Sequence, residues 1–268
     1  CERGLGKAKS ENKLPNLFEY KLKRYFDYEP LPEGSAKRGV IGIPRVLNIY
    51  ENYPFWATFF RDLGFRIILS PFSTRAIYEL GMESIPSESE CYPAKLAHGH
   101  AQWLIDHGIK TIFHPCVFYE HQEVPGAQNH FNCPIVVSYP ENIKNNVEAV
   151  TDGSVRYLHP FLAFTNEKVA SDRLAQFCKE VWNIPEKETR HAAHLAWEEQ
   201  RRAKADVRAA GAKALADMEK NGGSGIVLAG RPYHVDPEIN HGIPELIAAY
   251  GLTRSEEHTS ELQSHEPI

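Results

Sequence analysis

Several features that would define a function class are scarce or missing in this chain of 268 residues. It has no run of about 18 apolar residues and no charged-then-apolar leader, so neither a membrane span nor a secretory signal is predicted. No stretch is dominated by Lys and Arg, and the formal net charge is -5. Nucleic-acid binding needs a basic surface that this composition does not supply. We therefore expect a cytoplasmic protein that binds neither membranes nor nucleic acids.

Cysteine is also scarce, and the five that occur are Cys1, Cys91, Cys116, Cys133 and Cys178. They are too few and too scattered for a secreted disulfide scaffold, so we expect reduced thiols that are free for metal binding or redox chemistry. The sequence contains neither GxxxxGK[ST] nor GxGxxG, the glycine-rich loops that bind nucleotide phosphates. No ATP site is therefore assigned to this chain.

The two ends of the sequence carry separate expectations. The chain opens at Cys1 rather than Met, and residues 1–38 resemble a charged connector from a missing upstream region. Residues 254–268 lack apolar periodicity and include RSEEHTSELQSH, which resembles the translation of a DNA-sequencing adapter. We expect that segment to be an artefact and the chain to be a fragment.

Strand and helix signals alternate through the middle of the chain. Short apolar runs predict strands at Gly39–Ile43, Arg66–Ser70, Thr111–Phe113 and Pro134–Ser138. Helices are predicted at Pro54–Gly64, around Arg75–Leu80, from Pro93 to a stop at Gly108, and near Glu141–Val150. This alternation predicts an α/β fold, with a Rossmann-like parallel-sheet domain over residues 39–165.

The remaining residues predict a helical connector and a second unit. Residues 166–221 are rich in Ala, Glu, Arg and Lys, with Pro185 as the one break. From Gly225 the pattern is strand, loop and a helix that starts near Pro244 and stops at Gly251. Residues 222–253 are therefore expected to be the truncated start of a second Rossmann-like domain.

Three cysteines are the main candidates for chemistry. Cys91 precedes a helix, where free N–H groups and the helix dipole favour a thiolate. Cys116 follows a strand, and α/β sheets place their sites at the carboxyl ends of strands. Cys133 precedes a predicted strand, which would place it at the opposite edge. From the residues alone, metal or cluster ligation and three buried structural cysteines both remain open. His114 and His130 lie close enough in sequence to complete a zinc site.

Arg231 and His234 are weaker candidates, just after the predicted strand of the second unit. A guanidinium and backbone N–H groups at a strand end can hold an acyl-CoA phosphate or a carboxylate. The alternative is that both side chains fix the loop to Asp236 or Glu238.

Five stretches of the sequence together resemble one known family. They are NIYENYPFWATFFRDLGF, SIPSESECYPAKLAHGHAQWLIDHG, HPCVFYE, NCPIVVSYPE and AGRPYHVDPEINHGIP, and they lie between roughly Gly39 and Leu252. In combination they are similar to the acyl-CoA dehydratase activase-related proteins, relatives of the 2-hydroxyacyl-CoA dehydratase subunits.

The resemblance implies a cofactor and its ligands. By this resemblance, three cysteine thiolates per subunit are expected to hold a 4Fe-4S type iron-sulfur cluster between two Rossmann-like domains. Cys91, Cys116 and Cys133 match the three motif positions. It also implies an ATP-dependent activase domain or subunit as partner, an acyl-CoA substrate and a dimer, with ATP bound only on missing upstream domains.

Two functions follow as hypotheses. The first is an iron-sulfur electron-transfer module of an ATP-dependent reductase or 2-hydroxyacyl-CoA dehydratase-like system, which accepts a low-potential electron from the activase. The alternative is a non-catalytic zinc- or thiol-stabilised scaffold domain that links the activase to a partner subunit. Whether the chain is itself an enzyme stays open.

Overall fold

A computed structural model of the chain describes residues 16–123, 126, 129–221, 225–249 and 253–258. The α-helices are α1 (Leu17–Phe26), α2 (Ile49–Asp62), α3 (Arg75–Gly81), α4 (Tyr92–Asp106), α5 (Pro134–Asn146), α6 (Glu148–Thr151), α7 (Glu167–Trp182), α8 (Glu186–Asn221), α9 (Pro237–Asn240) and α10 (Ile243–Ala249). The strands are β1 (Val40–Ile43), β2 (Arg66–Leu69), β3 (Thr111–Phe113), β4 (Cys116–Tyr119), β5 (Arg156–Leu158), β6 (Phe161–Ala163), β7 (Gly225–Gly230) and β8 (Thr253–His258). In this described part of the chain, no helix combines the length and apolar character that a membrane span requires.

The central sheet has four parallel strands in the order β2-β1-β3-β5. β1 and β2 pair along their whole length, from Val40 opposite Arg66 to Ile43 opposite Leu69. A parallel pair needs a crossover connection, and α2 provides it between these two strands. The predicted α/β class with a parallel Rossmann-like sheet is confirmed.

Two strands of this sheet are interrupted by His-Pro pairs and then continue into a second, two-stranded parallel sheet. The dipeptide His114–Pro115 separates β3 from β4, and the dipeptide His159–Pro160 separates β5 from β6. Proline has no N–H for a sheet ladder, but the N–H of Cys116 donates to the Pro160 carbonyl at 3.0 Å. Pairing therefore resumes after the break, and Cys116 and His159 both lie where the central sheet ends.

The main hydrophobic core lies between the central sheet and helices α2, α7 and α8. Its centre is made of fully buried aromatic residues of α2, which are Phe55, Trp56, Phe59 and Phe60. The ring of Trp197, on α8, lies 4.6 Å from that of Phe55. The predicted helical segment, broken at Pro185, thus contributes apolar side chains to the same core as the central sheet.

The strand predicted at Pro134–Ser138 is wrong, because these residues form the start of α5. Pro134 occupies the first turn, and Val136, Tyr139, Pro140 and Ile143 form one buried face at helical spacing. Burial of that face outweighs the strand preference of a β-branched run, which is weak by itself. Cys133 therefore precedes a helix and not a strand. The reason for placing it at the opposite edge of the sheet no longer applies.

The first long helix begins earlier than predicted. The sequence predicts Pro54 in its first turn, but α2 starts at Ile49 and contains Pro54. Its end agrees with the prediction, since Gly64 follows with a φ of 80°, a left-handed value that favours glycine.

The second unit consists of β7, β8, α9 and α10. β7 and β8 pair in parallel, from Gly225 opposite Thr253 to Gly230 opposite His258. Part of the segment expected to be an artefact thus lies in β8. Backbone pairing does not test where a sequence comes from, so that expectation stays a prediction. The predicted helix stop at Gly251 lies outside the described residues.

Candidate functional site

Two of the three candidate cysteines lie at the starts of neighbouring helices. Cys91 is the residue before α4 and Cys133 the residue before α5, and each helix has a proline in its first two positions. Proline suits this place because an N–H there would have no helical acceptor. A helix start also leaves further N–H groups without helical acceptors and carries the positive end of the helix dipole.

Tyr233, in the loop after β7, is a common neighbour of these two cysteines. Tyr233 and Cys133 both pack against one buried apolar cluster, which contains Ala94 and Val136. Burial raises the pKa of Tyr233 to about 12, and the charges of Cys133 and Cys91 contribute to the same increase. The second unit therefore supplies one side chain to the region of Cys91 and Cys133.

Cys116 has different neighbours. Its sulfur, a carboxylate oxygen of Glu141 and a ring nitrogen of His159 lie within 4.8 Å of one another. Cys116 is buried, whereas Glu141 is exposed and pairs with His159 Nδ1 at 2.9 Å. Among the residues that the structure describes, this is the one close set of three side chains able to hold a metal ion.

The protonation state of Cys116 follows from its surroundings. Burial, followed by the charge of Glu141, raises the pKa of its thiol to about 12. The thiol is therefore neutral near pH 7, and a metal ion would have to displace its proton to bind.

The three predicted ligands are thus divided between two environments. Cys91 and Cys133 share Tyr233, and Cys116 contacts Glu141 and His159. Ligation by all three cysteines together stays a prediction. Sequence reasoning missed Glu141 and His159, although His159 belongs to a second His-Pro pair that repeats the one before Cys116.

The two histidines considered for a zinc site are not part of the set around Cys116. Nδ1 of His114 is hydrogen-bonded to the Tyr157 hydroxyl at 2.7 Å. Its Nε2 is buried, and none of the residues that the structure describes forms a hydrogen bond with it. His130 lines a cleft of about 30 Å³ instead, together with Glu120 and Arg231.

Arg231 and His234 form a local contact. Nδ1 of His234 accepts a hydrogen bond from the Arg231 N–H at 2.9 Å, which holds the loop after β7. A Cβ on Gly230 would lie 2.4 Å from the same nitrogen, so this approach requires glycine. The cleft beside Arg231 is also lined by Glu51, whose carboxylate pairs with Lys204 at 2.9 Å, and by Glu120, whose pKa burial raises to about 7. Anion binding by Arg231 and His234 stays a prediction.

Asp236 is fully buried and joins the second unit to the first domain. Its Oδ2 accepts hydrogen bonds from the Tyr50 hydroxyl and, at 2.7 Å, from the Ser73 hydroxyl. Its Oδ1 accepts from the N–H groups of Glu238 and Ile239, at the start of α9. One carboxylate therefore caps a helix of the second unit and binds two side chains of the first domain.

The acceptor role of Asp236 sets the direction of a longer hydrogen-bond chain. Since Ser73 donates to Asp236, its oxygen accepts from His100 Nε2 at 2.9 Å. His100 Nδ1 then accepts from the Ser70 hydroxyl at 2.8 Å. These hydrogen bonds link the loop after β2, helix α4 and the loop that carries Tyr233. The position of Tyr233 therefore depends on them.

Comparison with known proteins identifies the family. The family described as CoA enzyme activase uncharacterised domain matches residues 40–258. The chain belongs to this family. No curated protein and no solved structure matches it. The resemblance to acyl-CoA dehydratase activase-related proteins is confirmed, and the match includes Cys91, Cys116, Cys133, Tyr233 and Asp236.

Buried histidines are expected to make the stability of this activase-family domain depend on pH. Burial lowers the pKa of His98 to about 4 and that of His100 to about 3, where Arg45 and His114 add to the effect. Unfolded histidine has a pKa of about 6.5, so below that pH the unfolded chain binds more protons than the fold. Stability therefore falls as the pH drops, with His100 contributing about 2 kcal/mol between about pH 7 and pH 5.

Urea unfolding at a series of pH values measures this effect. The variant His100→Gln keeps polar groups for Ser70 and Ser73 but does not titrate, so its stability should fall less steeply in acid. His194→Gln, on the exposed side of α8, is the matched control and should keep the slope of the unmodified protein. Equal slopes for the two variants would show that His100 is not neutral in the fold.

Proposed function

We propose that this activase-family domain is an iron-sulfur electron-transfer module that accepts a low-potential electron from an ATP-dependent activase domain or subunit. The observation that carries the proposal is the pair of helix starts at Cys91 and Cys133, with Tyr233 beside both. Thiolates are the protein ligands of iron-sulfur clusters, and N–H groups near the sulfur atoms tune their reduction potential.

Cys116 is the third proposed ligand. The side chain of Asn132, the residue before Cys133, donates to the carbonyl of Val117, the residue after Cys116, at 3.0 Å. The segments that carry Cys116 and Cys133 therefore adjoin. Ligation by Cys116 requires its thiol to turn away from Glu141 and His159.

The chain's own residues would have three tasks in this module. Cys91, Cys116 and Cys133 would hold a cluster of the 4Fe-4S type, and the donor set of three thiols fits iron and sulfide. Tyr233 and the apolar cluster behind Cys133 would limit access of water. A bound cluster supplies one-electron redox chemistry. An acyl-CoA substrate and a dimeric assembly belong to the same proposal and rest on the family resemblance.

Metal analysis of anaerobically purified protein tests the proposal. We expect iron and acid-labile sulfide in the unmodified chain, and a loss of at least about tenfold in Cys91→Ser and Cys133→Ser, because a cluster rarely survives without a thiolate ligand. Cys178→Ala, in the core between α7 and α8, is the control and should retain both elements. Zinc alone, or no metal, would contradict the electron-transfer function.

The alternative is a zinc-stabilised scaffold domain, and the close set of Cys116, Glu141 and His159 favours it. Cysteine, histidine and carboxylate side chains are the usual ligands of zinc. In this case the protein would contain zinc that is lost in Cys116→Ser and Glu141→Gln but kept in Cys91→Ser. Stability would fall together with the zinc content, because metal binding then contributes free energy of folding.

A further inference from the structure

A cleft of about 570 Å³ lies beside β2, and its lining contains none of the candidate cysteines. Helix α2, strand β2, the segment 26–31 and Glu199 of α8 form its walls. Its volume falls within the range of pockets that bind small molecules. β1 and β2 end beside it, and parallel α/β sheets bind ligands at the carboxyl ends of their strands.

The lining is apolar along most of its surface. Its apolar and aromatic side chains include Phe26, Leu31, Tyr53, Ala57, Phe65 and Ile67. Such a surface favours an aromatic or branched aliphatic group over a sugar or a polar chain.

Arg45, in the loop after β1, places a fixed positive charge in this lining. The guanidinium carbon lies 3.8 Å from the ring centre of Phe72 and 4.7 Å from that of Phe26. Its Nε donates to the Ser70 carbonyl at 3.1 Å. Two rings and one hydrogen bond therefore hold the guanidinium in place before any ligand arrives.

The charge of Arg45 is incompletely compensated. Its Nη1 is buried, and no group in the described part of the chain accepts a hydrogen bond from it. Burial lowers the pKa of Arg45, and the groups that oppose this lowering are Tyr50, Tyr53 and Asp236. An unpaired donor on a buried cation costs free energy, which an anion bound to that donor would recover.

The lining contains two carboxylates, and the half-buried one, Glu199, is already paired. Glu199 forms an ion pair with Arg24 at 2.8 Å and accepts a hydrogen bond from the Tyr28 hydroxyl at 2.7 Å. It is therefore neutralised by its own partners, and Arg45 and Arg61 are left as cations of the lining. Glu29 and Arg61 also line the cleft, but both are exposed and therefore screened by solvent. The charge that a ligand would meet inside the cleft is that of Arg45, which favours an anion.

We propose that this cleft binds a small carboxylic acid with an aromatic or branched aliphatic body. The carboxylate pairs with the guanidinium of Arg45, and the apolar body lies between α2 and β2, against Ala57 and Ile67. The site goes beyond the proposed electron transfer and needs neither a metal nor the cysteines.

Isothermal titration of the full chain with phenylacetate, and with its neutral amide phenylacetamide, tests the site. The acid should bind about 10- to 100-fold more tightly than the amide, as a buried pair between Arg45 and a carboxylate predicts. Arg45→Met keeps the backbone N–H that contacts Ser70 and should abolish this preference. Thr58→Trp fills the cleft from α2 and should prevent binding of both compounds.

Arg75→Met is the matched control, because this exposed arginine also lies against an aromatic ring but does not line the cleft. It should leave both affinities unchanged. Three results would overturn the proposal: equal affinity for acid and amide, an unchanged preference in Arg45→Met, or no saturable binding of phenylacetate at concentrations of about 10 mM. Binding that persists in a folded Thr58→Trp protein would also exclude this cleft as the site. None of these results depends on the iron content.

Discussion

Gly99→Ala is expected to lower the free energy of unfolding by more than about 4 kcal/mol, the range of severe overpacking. A Cβ on Gly99 of α4 would lie 1.7 Å from the carbonyl oxygen of Ile77 on α3. On the other helix, a Cβ on Gly81 would lie 2.2 Å from the backbone nitrogen of Gly99. The obstacles are backbone atoms, so the helices have to separate, and the start of α4 at Cys91 would move with them.

Gly211→Ala is the matched control for this substitution. Gly211 lies within α8, and a Cβ there would meet no atom within 4 Å. Alanine at that position should stabilise the protein by about 1 kcal/mol, because glycine is a poor helix former. Urea unfolding of both variants gives the comparison. If Gly99→Ala lost less than about 1 kcal/mol, the close contact of α3 and α4 would be wrong.

Asp236→Ala is expected to cost about 3 kcal/mol or more, because several buried groups lose their acceptor at once. The hydroxyls of Tyr50 and Ser73 and the first N–H groups of α9 all donate to this carboxylate. The loop that carries Tyr233 depends on the same contact, so Cys133 should also react faster with an alkylating reagent.

Urea unfolding and thiol alkylation measure the two effects of Asp236→Ala. Asp217→Ala, at an exposed position of α8, is the control and should change stability by less than about 0.5 kcal/mol. Asp236→Asn should fall between the two, since an amide retains one acceptor oxygen but brings an N–H₂ group among donors. Equal stability of the Asp236→Ala and Asp217→Ala variants would mean that the buried hydrogen bonds of Asp236 do not hold the second unit against the rest of the fold.

Much of the fold was predictable because its signals are local. Pro93 and Gly108 mark the two ends of α4, and Pro185 separates α7 from α8. The start of α2 could not be read in the same way. Pro54 resembles a helix start by its residue type, and only the buried turn before it shows that the helix is already formed.

The candidate site was predictable in part. The position of Cys91 before a helix follows from the proline and the apolar spacing after it. The neighbours of Cys116 did not follow from any local pattern. Glu141 reaches Cys116 only because α5 is a helix that packs against β4, and the same residues were predicted as a strand followed by a later helix.

By itself, the sequence determined the α/β class, the alternation of strands and helices that predicts a parallel sheet, the family and the helix start at Cys91. These depend on residue type and on spacing along the chain. Tertiary structure alone decided that Cys133 also precedes a helix, and that Asp236 meets Tyr50 and Ser73. Those outcomes depend on which apolar faces are buried together and on which buried donors need an acceptor. Both depend on contacts between segments that are far apart in the sequence.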